Sequence, residues 1–455
     1  MTTNGLSFSE RVLTEFEQCA DEGRDVSGFE DEARLINDAF AIGQLMENEA
    51  KHLLEKMRRA PIRKDYPYYE PSDLKGIKAS RPKAGNFRAL VPDWDVYYDK
   101  VYGAWLGRCI GCLLGMPVES WSRKRLIGFL KDTDNYPVTK YLSSDVSEEI
   151  RKRYSVVDID NNTWSPQVRW INLAPPYGPE DDDTNYTVLY LKLFEEKGKD
   201  FTSEDAAKYW LSYLPALKVF SAQRIAYQNI MNLINPPLSA YYFNPYRERI
   251  GGHIRADFFG YAAPGNPELA AELAFKDGRL SMVKNGLYAE MYCAALLAKA
   301  AVSNDMIDII EHGLKEIPEN SRLTIGIKKV LEWFRQGISW EDAIERLNTI
   351  YDDNNPHQRL HATANAMICA ISLLWGEGDF GKTIGYAVTA AFDTDCNGAT
   401  AGSIVGMILG AKKIPEYWRA PLNNRLQTGI TGFEMIEISE LAKRTVAVAK
   451  KIIGG

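Results

Sequence analysis

Apolar positions recur at helical spacing along most of this chain. Residues 8–60 read as charged amphipathic helices, with Leu35, Ala39, Ile42, Leu45 and Met46 marking an apolar stripe. Between 61 and 93 the prolines 61, 67, 71, 82 and 92 forbid long helices, which predicts a linker or wrapping arm. Helical spacing resumes over 94–119. Residues 120–180 differ: Pro137, Pro166, Pro175, Pro176 and Pro179 accompany one short β-run, YSVVDID, and the aromatics Trp164, Trp170 and Tyr177. This stretch predicts an irregular insert, suited to act as a lid. Beyond 181 the periodicity predicts helices over 184–197, 203–233, 267–277, 284–302, 304–316, 321–336, 340–350, 357–375, 379–391, 397–411 and 434–452. The expectation is therefore an all-α fold in two parts: an N-terminal helical extension with its Pro-rich arm over 1–92, and a main domain over 93–455 carrying the insert at about 120–180. No repeat of about 20 to 50 residues is present, which argues against a solenoid.

Length and composition narrow the picture only slightly. At 455 residues, 45% apolar and 25% charged, the chain has the usage of an ordinary globular protein. Its 54 Lys plus Arg against 61 Asp plus Glu give a net charge of -7, and no long basic run suggests a nucleic-acid partner. MTTNGLSFSE lacks the basic and apolar regions of a secretory signal, and no uninterrupted apolar run reaches about 20 residues, so the expected location is the cytoplasm, with no membrane partner. The six cysteines, 19, 109, 112, 293, 369 and 396, are dispersed in apolar segments and are expected to be reduced.

Two segments repeat glycine every four residues: 103, 107, 111 and 115 in VYGAWLGRCIGCLLGMPVES, and 398, 402, 406 and 410 in DTDCNGATAGSIVGMILGA. Glycine inside a helix costs about 0.5 to 1 kcal/mol relative to Ala, and this spacing lines it along one face, so close backbone packing is the expected compensation. Acids stand at the ends of these segments. Glu119 ends the first, Asp393 and Asp395 precede the second, and Asp181, Asp182 and Asp183 start another apolar helix. Each cluster alone has a simple explanation in helix capping and the helix dipole. Converging together, they would repel: two carboxylates about 4 Å apart cost about 4 kcal/mol at an effective dielectric of 20. Carboxylates with the hydroxyls of Thr184 and Thr394 are hard oxygen donors, which points to Mg²⁺, Mn²⁺ or Ca²⁺.

GAWLGRCIGCLLGMPVE, DDDTNYTVL and DTDCNGATAGSIVGMILGA resemble, in this order, the three signatures of the ADP-ribosylglycohydrolase family, and the resemblance runs over roughly residues 94–450. It implies an all-α orthogonal multi-helix bundle with two Mg²⁺ or Mn²⁺ ions at the base of a cleft, and cleavage of an N- or O-ribosyl bond in an ADP-ribosylated protein or small molecule. By motif, Asp182, Asp183, Asp393 and Asp395 match metal ligands, Asp181 is an added carboxylate beside them, and Glu119 matches a mobile acid/base glutamate. Asp182 and Asp395 are carried over as catalytic with Glu119. The chain departs from the family pattern at Asp181, where a hydroxyl residue is usual, at Cys396 after DTD, and at Cys112 where the first signature has Asp. A thiol is a poor ligand for a hard cation, so one ion in place of two is compatible with these changes.

The segment GGHIRADFFGYAAPGNPELA resembles the family's middle region and makes His253, Arg255 and Asp257 candidates for substrate binding, with capping or surface roles as the alternative. In SMVKNGLYAEM, Met282 stands where relatives carry His, and Lys284, Asn285 and Glu290 are further candidates. His357 and His361 lie one helical turn apart, but no HExxH Glu or third ligand accompanies them, so zinc is disfavoured. His361 and Asn365 share a face and are candidates for contact with substrate. The CxxC of Cys109 and Cys112 reads as buried small residues. Beside ADP-ribosyl hydrolysis stand two alternatives, a nucleoside-like small-molecule N-ribosyl hydrolase and a non-catalytic binding or structural member of the family.

Overall fold

The computed structural model describes residues 5–83, 87–91, 93–160 and 167–454, and the chain is all-α, with 23 α-helices and two short two-stranded ladders among those residues. Trp164, Pro166 and Pro92 lie outside the described residues. The ladders pair Ile159–Asp160 with Gln167–Val168 and Arg425–Gln427 with Met435–Glu437, both antiparallel.

The two glycine segments are helices Trp94–Gly115 and Thr394–Leu409, and they pack antiparallel, glycine on glycine. A Cβ on Gly103, Gly107 or Gly111 would overlap the backbone carbonyl of Gly406, Gly402 or Gly398 respectively. Gly115 meets the backbone of Thr394, whose hydroxyl donates to the Gly115 carbonyl at 2.9 Å. The expected close packing is present, with one difference: Gly410 lies beyond the helix at φ +80° as its C-cap. The first helix is long and apolar enough to cross a membrane by composition, but 94% of its apolar window is buried in this fold. A third core helix, Lys284–Ala300, is buried along its whole length from Asn285 onward, as expected for a helix without a polar face.

Helices Phe8–Asp21, Glu30–Ala41 and Glu47–Arg59 form the extension around their own small core of Val12, Ile36, Leu53 and Met57, joined by Phe243 of the main domain. The stripe expected there is not the buried one: Leu35 is exposed on a helix that buries Ala33 and Ile36, and Ile42 and Leu45 are exposed beyond the helix end at Ala41, where Gly43 turns the chain at φ +84°. The arm makes contacts with both the extension and the main domain. Tyr66 donates to the carbonyl of Asp21, and Glu70 accepts from Arg322 and Asn285.

Three predicted helices are broken. Residues 203–233 divide at Leu214–Phe220, where Pro215 follows the end of Ser203–Tyr213 and a new helix, Ser221–Met231, begins. Residues 357–375 divide at Leu360–His361 into Pro356–Arg359 and Ala362–Trp375, and 434–452 begins as the strand Met435–Glu437. The insert contains more helix than expected, Arg123–Asp132 and Glu148–Arg153. It packs on itself around Trp170, whose ring centroid lies 6.3 Å from that of Trp121 and 5.8 Å from that of Phe129.

Candidate functional site

The antiparallel glycine seam determines where the acids go. Because Gly115 faces Thr394, the C-terminal end of the first helix lies against the N-terminal end of the second, and their terminal acids meet. The first helix closes with a 3-10 turn, Met116–Val118, containing Pro117, and Glu119 caps it. Ser120 follows at φ +65°. Across the seam, Ala391 and Phe392 both take left-handed conformations, φ +67° and +63°, immediately before Asp393. Such backbone costs about 1 to 3 kcal/mol per residue and concentrates at functional sites. Here it turns the chain so that Asp393 heads the second helix and Asp395 occupies its first turn. The third acidic segment begins the helix Asp182–Lys197 alongside.

The simple capping explanation accounts for only one of these acids. Asp181 caps its helix, accepting from the Asp183 amide at 3.0 Å. Asp393 sits at the N-cap position yet makes no side-chain cap. Carboxylate oxygens of Glu119, Asp393 and Asp395 all lie within 4.8 Å of one another. Asp183 is fully buried and Asp393 and Asp395 nearly so, at 0%, 5% and 4% exposure. Two of the buried oxygens, Asp183 Oδ2 and Asp395 Oδ1, have no hydrogen-bond partner. Burial, with the neighbouring acids Asp181 and Asp183, pushes the Asp182 carboxyl well above its usual range; burial, Glu119 and Asp393 do the same to Asp395. Burial also raises Asp183, against the opposing charge of Arg108, and raises Asp393. A cluster of this kind needs protons or cations to offset its mutual repulsion. The donor set of Glu119, Asp393 and Asp395 is all oxygen and suits a hard divalent ion, and the two orphaned oxygens give such ions something to bind.

Two arginines fix the acids from outside. Arg108, in the first glycine helix, reaches Asp183 Oδ1 at 3.1 Å and Asp257 at 3.0 Å, all three buried. Arg169, from the insert, donates to Glu119 at 2.6 Å. Burial raises the Glu119 carboxyl, and Arg169 partly offsets that rise.

The acids floor a cavity of about 320 Å³. Glu119, Asp181, Asp182, Asp393 and Asp395 line it, and Asp183 lies just behind them. Another part of the lining was not foreseen from the sequence: Ser221, Gln223 and Arg224 from the start of one helix, and Arg249, Ile250 and Gly251 from the loop after Leu238–Tyr241. Reading 203–233 as one helix concealed this part, although Pro215 marks the break that turns Ser221, at φ +43°, and Arg224 toward the cavity.

The six expected substrate contacts do not line the cavity. Arg255 is buried in ion pairs with Asp277 at 2.7 Å and Glu290 at 3.3 Å. Asp257 is bound to Arg108, and His253 is 1% exposed, with burial lowering its imidazole to about 3. Asn285 binds Glu70 and Glu248, each at 2.8 Å, and Lys284 binds Glu22 of the extension at 3.2 Å. His361 caps its helix through the Thr363 amide, while His357 meets Asp21 at 2.9 Å, so the pair forms no zinc site. Asn365 comes closest in effect: its Oδ1 accepts from the Asp393 amide at 3.3 Å and from Asn397 at 2.8 Å, supporting the turn that carries the acid. Arg255, Asn285 and Asn365 are engaged inside the fold, whereas His253 Nδ1, Asp257 Oδ1 and His361 Nε2 are buried without a hydrogen-bond partner.

The model of one protein family, ADP-ribosylglycohydrolase, matches residues 93–451, which includes both glycine helices and all six acids. The chain belongs to the ADP-ribosylglycohydrolase family. That membership points to glycosyl hydrolase activity. No curated protein matches the chain. Among solved structures it is similar to one described as an "ADP-ribosylglycohydrolase-related protein complex", with 18% identity, a TM-score of 0.46, and coverage of 78% of this chain and 99% of that one.

Proposed function

We propose that this chain is a divalent-cation-dependent hydrolase of an N- or O-ribosyl bond in an ADP-ribosylated protein or small molecule. The observation that carries the reading is the convergence of six acids from three chain segments, with Asp183 Oδ2 and Asp395 Oδ1 buried and unpartnered. Asp182, Asp393 and Asp395 would hold Mg²⁺ or Mn²⁺, with Asp181 and Asp183 beside them. Held there, such an ion would supply Lewis-acid chemistry at the ribosyl bond. Glu119 then moves the proton between water and leaving group, oriented by its hydrogen bond from Arg169.

The arginines in the cavity lining favour a phosphate-bearing substrate over a neutral nucleoside. Arg224 and Arg249 are 8% and 9% exposed, and each has a buried guanidinium nitrogen without a partner, Arg224 Nη2 and Arg249 Nε. Burial lowers the pKa of both, so an incoming anion would relieve the cost of keeping them charged. Steady-state hydrolysis of ADP-ribosylarginine and of inosine by the Mg²⁺-loaded protein compares the two readings. The ADP-ribosyl compound is expected to be preferred, with Arg249→Gln raising its KM about tenfold or more. Equal turnover of inosine, unaffected by that substitution, would select the nucleoside reading.

A further inference from the structure

Two of the chain's departures from its family pattern meet in the fold. Cys112 adjoins Gly111 on the first glycine helix, and Cys396 lies two residues before Gly398 on the second. The glycine contact between the helices brings both thiols to one carboxylate. Cys112 Sγ lies with oxygens of Asp181 and Asp183 in a group no wider than 4.8 Å, and Cys396 Sγ lies with oxygens of Asp183 and Asp395 in another. Both thiols are buried, at 2% and 7% exposure. Asp183, common to both groups, has Oδ1 engaged by Arg108 at 3.1 Å and Oδ2 buried without a partner.

The acid cluster therefore has two chemical characters. Glu119, Asp393 and Asp395 offer oxygen alone. The groups around Asp183 offer oxygen and sulfur, and soft sulfur favours zinc-type ions over magnesium. In the tetrahedral geometry of zinc, bonds of about 2.3 Å to sulfur and about 2.0 to 2.2 Å to oxygen put neighbouring ligand atoms about 3.6 Å apart. Either thiol-bearing group, no wider than 4.8 Å, would close on such an ion by contracting by up to about 1 Å.

We infer that Asp183 is the centre of a second cation position, bounded by Cys112 and Asp181 on one side and Cys396 and Asp395 on the other, that takes a thiophilic divalent ion of the zinc class. The inference rests on reading the acid cluster as a cation site and is independent of which bond is hydrolysed. Binding breaks the S–H bond of a ligating cysteine, forms a sulfur–metal bond and releases the proton to solvent, with no change of oxidation state.

Co²⁺ serves as the spectroscopic probe, because thiolate ligation produces an intense near-ultraviolet charge-transfer band that oxygen ligation lacks. Titration of the reduced full-length protein is expected to develop this band, Zn²⁺ to abolish it, and excess Mg²⁺ to leave it. Cys112→Ala and Cys396→Ala are each expected to weaken Zn²⁺ binding by about tenfold or more in calorimetry, while Mn²⁺ affinity stays within about threefold. The double variant should lack the band. It keeps Cys19, Cys109, Cys293 and Cys369, so a band that persists in it would overturn the proposal, as would Co²⁺ binding to the parent without a band. Circular dichroism checks folding, and the corresponding Ser variants replace any Ala variant that fails to fold. Because no substrate is present, these outcomes are read whether or not the hydrolase reading holds.

Discussion

Gly111 and Gly398 face each other so closely that a methyl group on Gly111 would overlap the carbonyl of Gly398. This contact belongs to the seam that brings Glu119 toward Asp393 and Asp395, so packing and site geometry have one origin. Gly111→Ala forces two backbones apart, and it is expected to lower unfolding free energy by about 3 kcal/mol, the upper part of the range for overpacked cores. Gly28→Ala, with nothing within 4 Å of the added methyl, is the control and should stay within about 0.5 kcal/mol. Urea denaturation of both variants decides the point; equal stability would mean that the seam tolerates side chains.

Glu119 presents one oxygen to Arg169 at 2.6 Å while lying against Asp393 and Asp395. As an acid/base rather than a permanent ligand, Glu119→Gln should lower turnover by about 10² to 10⁴. Thermal melts with Mn²⁺ after chelation should still show cation-induced stabilisation, because the aspartates remain. Joint loss of turnover and of that stabilisation would make Glu119 a ligand.

The extension is locked to the domain by buried charge. Arg247 pairs with Glu15 and Glu22, each at 2.7 Å, with all three side chains fully buried. Burial alone would raise the Glu22 carboxyl, but the charges of Arg247 and Lys284 outweigh it and hold the group well below its ordinary value of 4.5. A depressed carboxyl contributes stability that is complete above the ordinary value and is lost as pH falls toward the folded one. Stability should therefore decline below about pH 4.5, and Glu22→Gln should remove part of that decline. The variant should also cost about 3 to 5 kcal/mol at pH 7, because Arg247 and Lys284 lose a buried partner. Chemical denaturation across pH 3 to 7 measures both, and an unchanged profile would refute the lock.

Much of this was legible in the sequence, for identifiable reasons. Glycine at every fourth residue has few explanations other than backbone contact, so the seam could be read from Gly103 to Gly115. Asp393 and Asp395 stood at its end in plain view. Periodicity was less informative where the chain turns without a strong signal. Ser221 and Arg224 were hidden inside an apparently continuous helix, and the Leu35 stripe was continued across a turn at Gly43. Polar residues were the hardest to place. Arg255, Asp257 and Asn285 look like site residues in a linear sequence, and only the structure shows them paired with Asp277, Arg108 and Glu70. Sequence order could not reveal that Cys112 and Cys396 converge on Asp183, since that depends on the antiparallel register of two helices far apart in the chain.

The central claim is that the converged aspartates hold the cation on which ribosyl-bond cleavage depends. Release of ADP-ribose from N- and O-linked ADP-ribosyl compounds tests it most directly, measured on the chelated protein, on the protein reloaded with Mg²⁺ or Mn²⁺, and on Asp182→Asn and Asp395→Asn with folding verified by circular dichroism. Each substitution keeps the volume of the side chain and removes the charge. The expected result is turnover that disappears on chelation, returns with metal, and is absent in both folded variants at saturating metal. Turnover indifferent to chelation, or near-normal in both variants, would contradict the account.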